Sequence, residues 1–422
     1  MLRLMLLAMM IVPVSWSQAA DWNRFRGPNG SGVAAQSEIP TEWSESRNIA
    51  WKVDLPGPGA SSPVTWKGNI YLTCYSGADE GLDSLKRHLL CFDLKTGQKQ
   101  WETVEAAELP EDEYRGFITE HGYATNTPVV DDSGIYVFYG KSGVLAYDLS
   151  GNKRWQTSVG KESSSRRWGS SSSPVLFENL VIVVASDESE SLRALDKTTG
   201  EIVWQKEASG FDLTFDTPIL IEHEGKTELV IAVPNEVWSF DPATGALNWY
   251  CEAGFDGNVS PSLVTDGTNV YGMGGRQGSG AAVKVGGKGD VTESHLLWKN
   301  RYSSYVPSAV LLEGYLYWAD DSGVAHCVNA TDGDLIYRER LPTAGARRGA
   351  SRPYYASVVA TEKVIVATSR TNGFVVYEAG PEFKILSENR IEGDDTDFNA
   401  TPTIAGNALL LRSNKALYCV RK

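Results

Sequence analysis

The chain of 422 residues carries 39 Lys and Arg against 53 Asp and Glu, a net charge of −14, which argues against nucleic acid or an anionic lipid surface as a partner. Its 41 Gly, 13 Trp, 18 Tyr and 12 Phe point to turns and aromatic-rich strands and exclude collagen, coiled coil and disorder. The length alone leaves open several domains or one large all-β domain.

The first twenty residues read as an export signal: Arg3, an apolar run from Leu4 to Val14, then Gln18-Ala19-Ala20, with cleavage expected near Ala20. The run is shorter than the roughly 20 residues needed to cross a bilayer, and no later segment approaches that length. No Cys lies near the cut, so a lipid-anchored Cys is not available. The expected product is periplasmic or extracellular, monomeric and not a lipoprotein. Residues 21–47 read as an N-terminal arm outside the folded ring that the rest of the chain builds.

From residue 48 to 422 a unit recurs about every 45 residues. Its clearest piece ends in Trp: C-F-D-L-K-T-G-Q-K-Q-W (Cys91 to Trp101), A-L-D-K-T-T-G-E-I-V-W (Ala194 to Trp204) and S-F-D-P-A-T-G-A-L-N-W (Ser239 to Trp249). Weaker copies run from Ala146 to Trp155 and from Cys327 to Tyr337. A second landmark is a Pro, usually after Ser or Thr, opening an apolar strand: Pro63, Pro128, Pro174, Pro218, Pro261, Pro307 and Pro402. Pro63 to Pro128 is one period plus an insertion. Pro307 to Pro402 is two periods, with Tyr355 to Val359 supplying the strand of a unit that lacks its Pro.

Each unit holds four short strands, as in Pro128 to Val130, Ile135 to Tyr139, Val144 to Tyr147 and Arg154 to Thr157, which is one propeller blade. Second strands such as Leu180 to Ala185 are wholly apolar, suiting a sheet buried on both faces between neighbours. The last unit stops after three strands, at Ala416 to Val420, and Asn48 to Val53 matches its missing Trp-bearing strand. The expected fold is therefore an all-β, eight-bladed β-propeller with four-stranded blades. An N-terminal strand completes the C-terminal blade and leaves no open edge.

At these residues the chain resembles the quinoprotein-type (PQQ-like) propeller repeat family, whose blades carry A-x-D-x-x-T-G-x-x-x-W. The opening Asp21 to Gly30 and the His121 to Ala124 segment resemble exported bacterial PQQ-like repeat proteins. The family includes pyrroloquinoline quinone dehydrogenases and the propeller lipoprotein of the outer-membrane β-barrel assembly machinery. The resemblance implies that the motif Trp docks between blades and that Cys91, Cys327 and Cys419 are buried fillers of the small-residue position. It implies fold, not chemistry. The dehydrogenases hold quinone and calcium at the ring axis with an Asp base, Glu and Asn ligands and, in many members, a disulfide between adjacent Cys. This chain has no adjacent Cys pair, and no segment carries the Asp, Glu or Asn over. With five Cys a Cys74–Cys91 bridge stays open, since spacing does not fix geometry.

No metal is expected. The five His lack zinc spacing, Asp394 to Asp397 lacks the Gly and distal Glu of a calcium loop, Asp131-Asp132 and Asp320-Asp321 read as hairpin turns, and Glu105 to Glu113 reads as a solvated acidic loop. The candidate site is the axial mouth, where inter-blade loops converge on a rigid scaffold. Its candidate ligand-binding residues are His121, Asn126, Arg167, Trp168, Asp216, Asn258, Tyr305, Arg352, Asp397 and Asn399, with His121 and Trp168 foremost. The favoured expectation is a non-catalytic exported binding or scaffold protein of the cell envelope, without cofactor, that takes a protein segment or small molecule at the axis. The alternative is a PQQ- and calcium-dependent alcohol or sugar dehydrogenase.

Overall fold

The computed structural model describes residues 21–275, 278–342, 352–371 and 373–422; the export segment, residues 1–20, lies outside them. Eight antiparallel sheets form a propeller. Blade 1 comprises Val64–Trp66, Asn69–Ser76, Lys86–Asp93 and Lys99–Ala106, and blades 2 to 7 repeat that order. Blade 8 takes Thr403–Ala405, Ala408–Arg412 and Ala416–Val420 from the C-terminus and Ile49–Asp54 from the N-terminus, with Trp51 opposite Cys419. Blade 4 gains a short parallel edge strand, Gly289–Asp290, beside Leu247–Glu252. Inner strands are buried on both faces because each is packed between neighbouring blades, as in Leu180–Ala185, whereas outer strands such as Ile49–Asp54 alternate with solvent.

The repeat motif has a direct physical cause. Its small residue faces the Trp across the third and fourth strands: Cys91 and Trp101, Ala194 and Trp204, Ser239 and Trp249, Cys327 and Tyr337. A copy hidden in the sequence by an intervening segment pairs Ala282 with Trp298 in blade 5. The Trp ring then lies over the T-G turn of the next blade. Trp51, Trp101, Trp155, Trp204 and Trp298 donate Nε1–H to carbonyls there at 2.9–3.2 Å. The turn Gly must lack a side chain, since a Cβ at Gly97, Gly151, Gly200, Gly245 or Gly333 would sit 2.5–2.7 Å from the ring. The motif Asp caps the same turn, as when Asp196 Oδ1 accepts the Thr198 and Thr199 N–H groups.

Around the axis the blades are tied by hydroxyls. The N–H of Ser62 donates to Thr127 Oγ1, Thr127 to Ser173, Ser173 to Thr217, Thr217 to Ser262, Ser262 to Ser308, Ser308 to Ser357 and Ser357 to Thr401, all at 2.9–3.1 Å. The invariant element is thus the hydroxyl and not the Pro. Pro261 and Pro307 precede their Ser instead of following it, so a Pro-based register is two residues out in blades 5 and 6. Ser357 marks the blade that lacks a Pro.

One expectation is corrected and one open question is closed. The arm does not lie outside the ring. Trp22 exchanges hydrogen bonds with Thr65 in blade 1, Asn23 with Val130 in blade 2, and Asn29 with Leu220 in blade 4. Arg24 reaches the Pro218 carbonyl, Arg26 the Ala309 carbonyl, and Gly32 and Ala34 pair with Ala360 in blade 7. The arm therefore floors the ring, because its alternating donors satisfy inner-strand carbonyls that would otherwise be buried without partners. Cys74 and Cys91 are free, like the other three Cys, all five being buried. Cys74 faces blade 8 and Cys91 faces blade 2, on opposite sides of one sheet, which forbids a bridge.

Candidate functional site

The mouth is built by loops from five blades and roofed by the segment between Ala106 and Asn126, the insertion that lengthens the first repeat. At its centre the Phe117 ring lies 4.5 Å from Trp168 and 5.9 Å from Tyr305, and Trp168 lies 5.9 Å from Phe215. The Arg352 guanidinium is held between Phe117 and Tyr305, 4.6 Å from each ring, an arrangement that suits a planar delocalised cation. Across the axis Arg370 pairs with Glu120 and, at 3.0 Å, with Asp397, while Asn399 Nδ2 donates to the Glu120 carbonyl. Below the roof is a chamber of about 90 Å³ lined by hydroxyls of the axial ring, with Phe25 of the arm as one wall.

The structure sorts the predicted residues. Trp168, Tyr305, Arg352, Asp397 and Asn399 meet at the mouth. His121 is a buried strut: Nδ1 meets Thr125 Oγ1 at 2.7 Å and Nε2 meets the Trp168 carbonyl at 2.9 Å. Burial lowers its pKa and favours the neutral ring. Asn126 is buried and donates to the Ser172 carbonyl at 2.7 Å. Asn258 is buried beside blade 5, its Nδ2 without a partner among the described residues. Arg167 is exposed, and the arginine over Trp168, at 5.8 Å, is its neighbour Arg166. Asp216 is fully buried; Oδ2 accepts the Ala232 N–H at 2.7 Å, and burial raises its pKa to about 8.

Sequence reasoning missed Phe117, Glu120 and Arg370. Arg370 sits in the hairpin between the second and third strands of blade 7, not in an inter-blade loop. The surplus length between Pro63 and Pro128 was the signal for the other side of the contact. The acidic run inside that insertion is solvated at Glu108 and Glu113 but not at Glu111 and Asp112. Glu111 pairs with Arg87 at 2.6 Å and Asp112 with Lys141 at 2.9 Å, with all four side chains under a tenth exposed. These pairs border a small off-axis cavity whose other wall is Asp187 and Glu188. Asp187 accepts the Gly169 N–H at 2.9 Å, beside Trp168. Burial raises Asp187 to about 6, and burial with the Asp187 charge raises Glu188 to about 8. Asp394 is a structural acceptor for the Ser413 and Tyr418 hydroxyls. Among the described residues no three His, Cys, Asp or Glu converge to hold a metal ion, and no helix is long and apolar enough to cross a membrane.

Fold, motif and axial ring define a PQQ-like repeat propeller. Within that class the chain belongs to the family described as outer membrane protein assembly factor BamB, whose model matches residues 40–169 and 86–336. The BamB of Yersinia pestis is 23% identical over 302 residues, covering 69% of this chain and 67% of that protein. The crystal structure of BamB from Moraxella catarrhalis superposes with a TM-score of 0.64 at 14% identity, over 89% of this chain and 97% of that one. Quinohemoprotein alcohol dehydrogenase from Comamonas testosteroni gives 0.68 at 12% identity, over 96% and 81%. Identities this low carry the fold alone.

Proposed function

We propose that this chain is an exported, non-catalytic propeller that serves as a binding or scaffold protein of the cell envelope, engaging its partner through the axial mouth. The observation that carries the reading is membership of the outer membrane assembly factor family. The mouth supports it: Trp168, Tyr305 and Arg352 gather around Phe117, and they are the residue types that dominate binding hot spots.

The donor chemistry does not fit a quinone with calcium. The carboxyl beside the axial chamber, Asp216, spends one oxygen on a backbone N–H, and with its pKa raised to about 8 it stands as an acid at neutral pH. A hard divalent cation calls for several ionised or carbonyl oxygens. The chamber offers hydroxyls and a single amide oxygen, Asn399 Oδ1, and no ionised carboxylate among its lining residues.

The test has two arms. Protein lacking residues 1–20, incubated with PQQ and calcium and then desalted, is expected to retain no chromophore; stoichiometric, calcium-dependent retention with alcohol-dependent dye reduction would overturn the reading. In the second arm the Trp168→Ala/Arg352→Ala variant is expected to lose at least tenfold in affinity for the purified outer-membrane assembly complex of the same source. Unchanged affinity would remove the mouth from the interface.

A further inference from the structure

The roof of the mouth reaches across the axis to residues of distant blades. Its body is fixed: the buried Arg87–Glu111 and Lys141–Asp112 pairs hold it, the Tyr123 hydroxyl donates to the Asp112 carbonyl, and Ile118, at the base of the tip, anchors it among Tyr75 and Leu85. Its tip is held differently. The one-turn helix Ile118–His121 is flanked by Gly116 at φ +60° and Gly122 at φ +74°, conformations that glycine adopts without strain. Phe117 and Glu120, three residues apart, project toward the axis on one side of that turn. They meet groups in the loops that join blades 2 and 3, 5 and 6, 6 and 7, and 7 and 8, and in a hairpin of blade 7, not in the blade before the insertion.

Those receiving groups keep partners of their own. Arg352 retains the Tyr305 ring and Asp321, whose Oδ2 lies 3.7 Å from its Nε, and Arg370 retains Asp397. Trp168 retains Phe215. Removing the tip therefore leaves a formed site with two arginines and two aromatic rings facing the axis, not a collapsed one. Phe117 meets the Trp168 and Tyr305 rings and the Arg352 guanidinium, the Glu120 side chain, 30% exposed, pairs with Arg370 while its carbonyl accepts from Asn399, and His121 Nε2 meets the Trp168 carbonyl. Contacts of that kind are individually weak.

We propose that the mouth is a recognition site for peptide segments carrying an aromatic residue followed three positions later by a carboxylate, and that Phe117–Glu120 occupies it as a built-in competitor. This deepens the binding reading above and rests on it. A tethered competitor acts at an effective concentration in the millimolar range, so a free peptide must displace it. A site open only part of the time lowers apparent affinity by the open fraction. Partner binding and tip release are then one equilibrium, and weakening the tip strengthens the partner.

The probe is a fluorescein-labelled peptide of the chain's own sequence from Gly116 to His121, G-F-I-T-E-H. Its binding is measured by anisotropy on protein lacking residues 1–20. Phe117→Ala/Glu120→Ala is expected to bind it at least tenfold more tightly than the unsubstituted protein. Adding Arg370→Ala should reverse that gain, and a peptide with Phe changed to Ala or Glu to Gln should lose at least tenfold. Equal affinity of the opened and unsubstituted proteins, or equal binding of the altered peptides, would overturn the proposal. Should the double variant not fold, Glu120→Gln alone is read by hydrogen exchange: residues 116–122 must exchange faster than in the unsubstituted protein, and unchanged protection overturns the proposal. If the peptide fails while the Trp168→Ala/Arg352→Ala variant still loses the assembly complex, only the built-in competitor falls. If both assays are negative, the mouth itself is not the binding face.

Discussion

Replacing Trp22 by Ala removes the side chain on which the floor of the ring depends. Trp22 is 1% exposed and packs with Trp43 and the inner faces of blades 7 and 8. Gly27, at φ +69°, lies so close that a Cβ there would approach the ring to 2.4 Å. Loss of a fully buried Trp costs about 3–5 kcal/mol, transfer and cavity terms together. For a chain of about 400 residues, with roughly 2 cal/mol/K of unfolding entropy per residue, that lowers the melting midpoint by about 5 °C. Urea unfolding followed by far-UV circular dichroism gives the free energy, with Val203→Ala as a control expected within about 0.5 kcal/mol, since Val203 is 53% exposed. A Trp22→Ala change below about 1 kcal/mol would refute the reasoning and return the arm to the peripheral place that the sequence suggested. By the same argument, deletion of residues 21–45 is expected to destabilise the ring strongly.

Burial raises the Cys91 and Cys327 thiols to about 12 and Cys419 to about 11. All three are expected to resist alkylation in the native protein and react only after denaturation; rapid native labelling followed by mass spectrometry would contradict their placement opposite the motif aromatics. Glu188 has a folded pKa raised to about 8 from an ordinary carboxyl value of 4.5, so the native state holds a proton that the unfolded chain releases, and stability must fall as pH rises from about 4.5 to 8. The shift corresponds to a cost on the order of 5 kcal/mol at the alkaline end. Glu188→Gln should flatten the difference between urea melts at pH 5 and pH 8.5; an unchanged slope would remove Glu188 as its source.

The blade count, ring closure and filler role of the Cys were legible because they rest on local, periodic signals. A Trp, a T-G turn and a small residue recur at fixed offsets, and each is needed by the same inter-blade contact. The candidate mouth was half legible. Trp168, Tyr305, Arg352, Asp397 and Asn399 lie in loops whose place is dictated by the repeat. His121 and Asp216 lie in the same loops but turn inward, since burial and a backbone partner decide orientation and neither is written in spacing. Arg166 and Arg167 are indistinguishable as sequence; a positive φ of 52° at Arg167 leaves its neighbour over the Trp168 ring.

What the sequence determined by itself was the architecture, because a propeller is a sum of similar units, each specified by contacts with its neighbours. What only the tertiary structure decided was everything that crosses the axis. The arm joins Trp22 to blade 1, Asn29 to blade 4 and Ala34 to blade 7, and the insertion joins Glu120 to Arg370, two residues 250 positions apart. Neither segment belongs to the repeat, so neither carries a periodic signal. Their places follow from carbonyls, guanidiniums and rings that become neighbours only when the ring has closed.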